Sequence, residues 1–462
     1  MRKGDCMNIA PPRGIAVVDV GATNSKVVLF SPSCEVVAER KMASVHVEGP
    51  PYRHIDPEPL LEFLRQSLPE LNEILPIDVV VPCAHGAALA CLGNNGRLAL
   101  PVMDYTAEPP PDIIEQYRKI MPGFDEVCCP LLPMALTHAL QLYWQSQAQP
   151  QDFARIKTII PWIQYIGYRL SGRAVTEITS MSCQTQLVDV VHGGPSSLVR
   201  RQGWTRLFPP MVKAWEVIGL LNPEFGVTAK VLAGIHDSSA NYVRYLSGRI
   251  EKFTLISTGT WIIIYNAAAR IADLEADFDC ASSSDIFGQP VATSRFFGGK
   301  EFEVLAGDAA DATPSLAAVA RLVTCGTMAL PSFTASAGPV PGSENKGLII
   351  GQAPENAEEK ASLAALYCAL MVAEQLDLVS SRGAIIVDGP FAQNEVFLGV
   401  LARLRAGQKL QASELRDGTA AGAACLALMR GTSLPNIALK LRDIMPYDVP
   451  GLAAYRETWR NT

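Results

Sequence analysis

The sequence predicts an α/β protein built from two similarly designed domains, and three observations carry that prediction. At 462 residues the chain is longer than one hydrophobic core usually organises. Apolar strand runs alternate along it with amphipathic helical stretches, as in layered α/β architectures. An apolar strand, a Gly/Thr turn and a second apolar strand occur at 14–30 and again at 252–265. A cleft between two such domains is the default place for a ligand.

In chain order, Gly14 to Val20 reads as a buried strand, Gly21-Ala22-Thr23-Asn24 as a turn, and Ser25 to Phe30 as a returning strand. Pro57 to Leu75 reads as an acidic amphipathic helix, and Asp78 to Cys83 as a strand ending at His85-Gly86. The Pro-rich Glu108 to Asp112 stretch starts a helix, and Ile159 to Leu170 reads as an aromatic helix stopped by Ser171-Gly172. Strand Lys230 to Ala233 leads into Gly234-Ile235-His236-Asp237-Ser238. Lys252 to Ser257, the turn Thr258-Gly259-Thr260 and the run Trp261 to Tyr265 repeat the opening arrangement. A boundary near Leu246 to Glu251 divides the chain into domains 14–246 and 247–435, with 436–462 as a helical extension. Within the second, Gly338 to Pro354 reads as an exposed loop, Ala357 to Ser380 as a long helix and Ala384 to Asp388 as a strand. The turn Gly389-Pro390 follows, and Ala420 to Met429 is a close-packing Ala/Gly-rich helix.

Composition narrows the function classes. Apolar residues make up 48% of the chain and charged residues 18%, enough for substantial cores. A net charge of −7 without any Lys/Arg-rich run argues against nucleic acid or anionic membrane as partner and favours a small molecule. Eleven cysteines with no CxxC pair and no zinc spacing read as buried thiols of a reducing cytosol. Met1 to Arg13 lacks the apolar stretch of a signal peptide, and no window approaches a membrane span of roughly 20 apolar residues. A cytoplasmic location is expected.

Phosphates are cradled by backbone N–H groups and small hydroxyls, because bulky side chains block close approach. Two turns meet that need. In Asp19-x-Gly21-x-Thr23-Asn24-Ser25-Lys26, Asp19 ends a strand where it can hold hydrated Mg²⁺, with Lys26 near the phosphates. An ordinary hairpin with a solvated Lys fits the same residues. Ser257-Thr258-Gly259-Thr260 is the second turn, and no Walker loop, kinase Gly-rich loop or Rossmann fingerprint occurs. Asp237 follows a strand end and is a candidate general base, the competing reading being a helix cap. His236 reads more readily as a hydrogen-bonded structural residue. His85, Asp104, Glu177 and Gln184 lie beside apolar strands or turns and could bind sugar hydroxyls, a surface carboxylate being the alternative for Asp104 and Glu177.

Taken in order, Asp19 to Lys26, Gly234 to Ser238, Ser257 to Trp261 and Val387 to Asn394 resemble the FGGY carbohydrate kinase family over nearly the whole chain. Pro161 to Gly172 followed by Glu177 to Val188, the His236-Asp237 pair and the Ser-Thr-Gly-Thr-Trp turn look most like its rhamnulokinase and L-fuculokinase branch. The resemblance implies a two-domain actin-like ATPase fold of the ribonuclease-H type, with ATP and sugar meeting in the interdomain cleft. It implies phosphate contacts at Ala22, Thr23, Asn24, Ser25, Lys26, Thr258, Gly259 and Thr260, adenosine contacts at Gly389 and Asn394, and Mg²⁺ at Asp19. On the sugar side it implies Gly86, His236 and Asp237, the last as base, with Arg295 near that pocket, and His85 and Asp104 join them as sugar-binding candidates from the reading of the residues themselves. The expected reaction is ATP-dependent phosphorylation of a ketose or deoxyketose hydroxyl (rhamnulose-, fuculose- or ribulose-like). A kinase for another polyol and a non-catalytic actin-like sensor are the alternatives, and a homodimer is compatible with either. Two departures stand out. The adenosine motif reads Asp388-Gly389-Pro390-Phe391-Ala392-Gln393-Asn394, with Pro and Phe where small residues are usual. Val80 to Leu89 lacks the Trp and Asp of a rhamnulokinase, which argues against L-rhamnulose itself.

Overall fold

The computed structural model describes residues 11–415 and 418–462. The reading of the amino-terminal tail falls largely on residues 1–10, outside the described residues.

The first domain is organised by strand β1 (Gly14–Val20), buried on both faces as its apolar run demands. β1 pairs antiparallel with β2 (Asn24–Phe30), which pairs antiparallel with β3 (Val36–Ala43). Helix α1 (Pro57–Ile74) then crosses the sheet; Asp56 caps it by accepting from the Glu58 N–H, and Leu60, Leu61, Leu64, Leu68 and Leu71 form its inward stripe. β4 (Ile77–Ala84) returns parallel to β1. Helix α2 (Trp162–Ser171) leads to β5 (Val217–Leu220), β6 (Lys230–Leu232) and β7 (Ile235–His236), and the seven-stranded sheet runs β5-β6-β4-β1-β2-β3 with β7 also on β4. Helix α3 (Asp237–Ser247) leaves the end of β7.

The second sheet repeats the plan. β8 (Phe253–Thr258) pairs antiparallel with β9 (Ile262–Asn266), continued by β10 (Cys280–Ser284) and β11 (Pro290–Phe296). After helix α4 (Gly298–Ala306), the long helix α5 (Ala357–Leu378) is buried on nearly every face, and 83% of its apolar window lies inside the protein. β12 (Ala384–Asp388) runs parallel to β8, as β4 does to β1. Helix α6 (Glu395–Leu404), β13 (Leu410–Ser413), helix α7 (Gly418–Ala427), β14 (Leu441–Asp443) and helix α8 (Leu452–Asn461) complete the chain, giving the order β10-β11-β9-β8-β12-β13-β14.

Three expectations change. Ile159 belongs to a short strand, Thr158–Pro161, and the helix begins only at Trp162, because β-branched residues favour extended backbone and a proline at 161 disfavours helical backbone in the residue before it. The loop expected over 338–354 contains a short exposed strand, Leu348–Ile350, paired with Met328–Leu330. The segment 436–462 is not purely helical: β14 extends the second sheet, and Tyr455 and Trp459 of α8 enter its core. Their polar atoms donate to the carbonyls of Thr327 and Ala329 at 2.6 and 2.7 Å.

Helix α7, late in the sequence, packs on the first sheet: Ala420, Ala423 and Ala424 share a core with Ile15, Val17 and Val28. It also lies backbone to backbone on α3, where a Cβ added at Gly422 would stand 1.8 Å from the Ala240 carbonyl oxygen. Replacing Gly422→Ala is therefore expected to cost about 1–3 kcal/mol by overpacking, read as a lower midpoint in urea unfolding; an unchanged midpoint would show that the helices part freely.

Candidate active site

Strand register builds the first half of the site. Asp19 on β1 stands opposite Cys83 on β4, and Ile235 and His236 of β7 stand opposite Cys83 and Ala84. Asp19, His85-Gly86 and Asp237 thus leave the carboxyl ends of three neighbouring strands, the edge at which open α/β sheets bind ligands. Across the β1–β2 hairpin Asp19 pairs with Lys26, whose Nζ lies 3.5 Å from Asp19 Oδ2. The turn is closed by the Gly21 N–H donating to Asn24 O at 2.9 Å; Thr23 and Asn24 are exposed, and Ser25 is buried against Ser44 at 3.0 Å.

Asp237 is the first residue of α3, with about 30% of its side chain exposed. Its Oδ1 accepts from the Ser238 hydroxyl at 3.1 Å and lies 3.3 Å from His236 Nε2. His236 before it makes no capping side-chain bond, and the Asp237 carboxylate also accepts from the Ser238 N–H of the first turn at 2.5 Å. His236 is buried, with Cys183 Sγ 3.6 Å from its Nε2. Burial opposes charge on its imidazole, but Cys183, Asp237 and Glu177 outweigh that and raise it to about 9. Gly86 backs directly onto this ring: a Cβ there would come within 3.0 Å of His236 Nε2. His85 donates to the Gly86 carbonyl at 2.7 Å and packs edge-on against Tyr105; burial pushes its imidazole below the usual range.

The second half comes from the β8–β9 hairpin. Ser257 stands opposite Asp388 of β12 and accepts a hydrogen bond from Asn241, one turn along α3 from Asp237, at 3.1 Å. Thr260 is exposed and Gly259 half-exposed, but the Thr258 hydroxyl is already engaged: it donates to Asp388 O at 2.6 Å and accepts from the Phe391 N–H at 3.1 Å. Thr258 therefore ties the turn to the Gly389 loop rather than presenting its hydroxyl to a phosphate. Gly389 has φ of 90° and sits where a Cβ would meet Thr258 O at 2.0 Å, so the position admits only glycine. Asn394 caps α6 by accepting from the Phe397 N–H at 3.0 Å. The two departures in this motif have a structural outlet: Pro390 opens a short 3₁₀ turn, and Phe391 points inward onto Phe302 and Phe397.

Other expected sugar contacts separate. Asp104 is only 2% exposed, with Oδ1 taken by the N–H and hydroxyl of Thr106 and Oδ2 facing Arg53 and His46. The sequence reading is corrected here, since this carboxylate is turned into the protein. Glu177 is likewise buried and holds Thr179 and Ser180; burial raises its carboxyl above the usual range. The Gln184 carbonyl faces His138. Arg295 is buried, paired with Asp279, and lies 5.5 Å from the Trp261 ring. Trp261 stacks on Phe297 at 4.2 Å and packs against the first-domain patch of Ala87, Leu132 and Tyr105. Trp261, Tyr105, Asn241, Ser44 and His46 were not singled out from sequence; only Trp261 carried a signal, as the last residue of its turn motif.

The donors present suit a bound nucleotide. Two glycine-lined turns leave room for phosphate oxygens, and Gly299 behind the second would, with a Cβ, strike Gly259 O at 2.3 Å. No cluster of three or more metal-ligating side chains occurs among the described residues. A lone strand-end carboxylate such as Asp19 is compatible with Mg²⁺, which typically keeps waters and takes one or two carboxylates plus substrate phosphates.

Both sheets share one plan, and together they define a two-domain actin-like ATPase fold. Residues 250–435 match the family model "Carbohydrate kinase FGGY, C-terminal domain". A carbohydrate kinase from Novosphingobium aromaticivorans is similar over 96% of this chain and 99% of its own, at 33% identity and a TM-score of 0.86. A ligand-bound xylulose kinase from Lactobacillus acidophilus shares the fold over 97% of this chain and 96% of its own, at 15% identity and a TM-score of 0.81. "Putative sugar kinase YoaC" of Bacillus subtilis (strain 168) is 25% identical over 266 residues, 54% of this chain; the match spans 53% of that protein's length. The chain belongs to the FGGY carbohydrate kinase family, a family of phosphotransferases.

The raised His236 gives a pH prediction. Because its folded-state value of about 9 lies above the ordinary value of about 6.5, its stabilising contribution is complete below that ordinary value and is lost as pH rises through 9. Wild type should therefore lose unfolding free energy across this window, and the loss should flatten in His236→Gln, as measured by urea titration at a series of pH values.

Proposed function

We propose that this chain transfers the γ-phosphoryl group of ATP to a hydroxyl of a ketose or deoxyketose, rhamnulose-, fuculose- or ribulose-like, with Asp237 as general base. The observation that carries the reading is the dual attachment of α3. Its first residue places Asp237 beside His85-Gly86 at the strand ends, and its next turn joins Ser257 of the second hairpin through Asn241. One rigid element thus sets the base relative to both turns.

Phosphoryl transfer asks little covalent chemistry of a protein; it needs a proton acceptor, in-line placement and neutralised phosphate charge. In this reading the Asp237 carboxylate takes the proton of the attacking sugar hydroxyl as the O–P bond forms and ADP leaves. The amides of Ala22, Thr23 and Asn24 in the first turn and of Thr260 in the second orient the phosphates, the Gly21 and Gly259 N–H groups being used to close the turns, and Lys26 adds positive charge. Mg²⁺, when bound through Asp19 and water, supplies further charge neutralisation. His85, Gly86 and His236 line the sugar side, and Trp261 walls it from the second domain. The His236-Asp237 pair and the Trp261 turn support the rhamnulokinase and L-fuculokinase branch within the family.

The test is ADP release across a panel of ketoses and polyols, with Asp237→Asn beside wild type. One accepted sugar is expected, with kcat about 10²–10⁴-fold lower in the variant and MgATP affinity retained. Equal turnover in both proteins would remove Asp237 as base, and nucleotide binding without turnover on any sugar would favour an actin-like sensor.

A further inference from the structure

Every peptide of the first phosphate turn is held from behind. The Gly21 carbonyl accepts from the Ser44 hydroxyl at 2.7 Å, the Ala22 carbonyl from His46 Nε2 at 2.7 Å, and the Thr23 carbonyl from the Ser44 N–H at 2.9 Å. In a planar trans peptide the carbonyl of one residue and the N–H of the next point in opposite directions. Fixing these carbonyls toward Ser44 and His46 therefore turns the N–H groups of Ala22, Thr23 and Asn24 the other way, on the side where Thr23 and Asn24 are exposed. Ser44 is seated by its contact with Ser25.

His46 is itself held. Three two-residue strands, His46–Val47, His54–Ile55 and Val102–Met103, pair antiparallel and bring His46, Arg53 and Asp104 together. His46 Nδ1 lies 2.6 Å from Asp104 Oδ2 without the alignment of a hydrogen bond, and Arg53 Nε donates to the same oxygen at 3.1 Å. A backbone carbonyl can only accept, so the ring donates from Nε2 to Ala22 O while Asp104 stands behind its other nitrogen. Asp104, buried and far from a surface role, orients the imidazole much as a second carboxylate orients a metal-bound histidine.

We propose that Ser44 and His46, with Asp104 behind His46, are positioning residues for the phosphate-binding turn: they aim its amides at the nucleotide phosphates while touching neither nucleotide nor sugar. The inference rests on the kinase reading and moves Asp104 from the sugar side to the nucleotide side.

Calorimetric affinities for MgATP and AMP, measured on the full chain, test it. His46→Phe keeps a ring but loses both contacts, Asp104→Asn removes the charge behind the ring, and His46→Gln keeps a donor able to reach Ala22 O. His46→Phe is expected to weaken MgATP binding about 10-fold, the loss of roughly one hydrogen bond, with AMP affinity unchanged and most of the loss recovered in His46→Gln. Asp104→Asn is expected to fall between. Ser44→Ala, which deletes only the hydroxyl contact to Gly21, decides the matter if His46→Phe does not fold, and should show the same MgATP-selective loss. Equal weakening of MgATP and AMP, or unchanged MgATP affinity in folded variants, overturns the proposal. Wild type that binds no MgATP removes the kinase reading and this inference with it, whereas unaltered variants of a binding wild type remove this inference alone.

Discussion

The close approach of α3 and α7 is the constraint on which the rest of the architecture depends. Helices cross at such short distance only where side chains are nearly absent, and Gly418, Gly422 and the neighbouring alanines supply that surface. Once α3 is pinned, its own residues reach both sheets. Asp237 starts it at the end of β7, Asn241 meets Ser257, and Arg244 reaches Ser413 at 3.2 Å and Asp388 at 3.9 Å. A small rotation of this one helix would move Asp237 and the second turn together. Strand ends alone would leave their relative placement undetermined.

The charges buried where the domains meet are consistent with that role. Arg244 is 1% exposed and Arg295 3%, each beside an aspartate and an aromatic ring. Desolvating such groups costs several kcal/mol per ion, which their partners must offset. Glu301 shows the same logic in the second core: it accepts from the Phe333 N–H, the Thr334 hydroxyl and the Tyr367 hydroxyl. These pairs tolerate few alternative arrangements, because any slip leaves a buried charge without its partner.

Local signals made much of this legible in the sequence. Both hairpins follow from continuous apolar runs broken by Gly/Thr turns, and their antiparallel pairing matches the repeat seen at 14–30 and 252–265. Asp237 was legible because a strand end, a short turn and a helix start place a carboxylate at a sheet edge. Asp104 was not, since nothing near it in sequence says that Arg53, Thr106 and His46 will enclose it. His46 carries no motif at all; its place depends on three tiny strands whose pairing is entirely long-range. Thr258 was assigned to phosphate from its turn, but its partners, Asp388 and Phe391, come from a strand more than a hundred residues on. Burial and long-range pairing, not local chemistry, separate what was read from what was missed.

The position of α7 also bears on how the chain can come to be folded. One apolar face of the amino-terminal sheet, with Ile15, Val17 and Val28, is covered by residues 420–424. During synthesis that face emerges early and is joined first by Ala240 and Val243 of α3, but its remaining cover, residues 420–424, leaves the ribosome only near the end of the chain. Such distant closure is slow and exposes sticky surface meanwhile. The two halves look modular by strand order, yet they share a core: a fragment ending before β8 would lack the part of its own cover that α7 supplies.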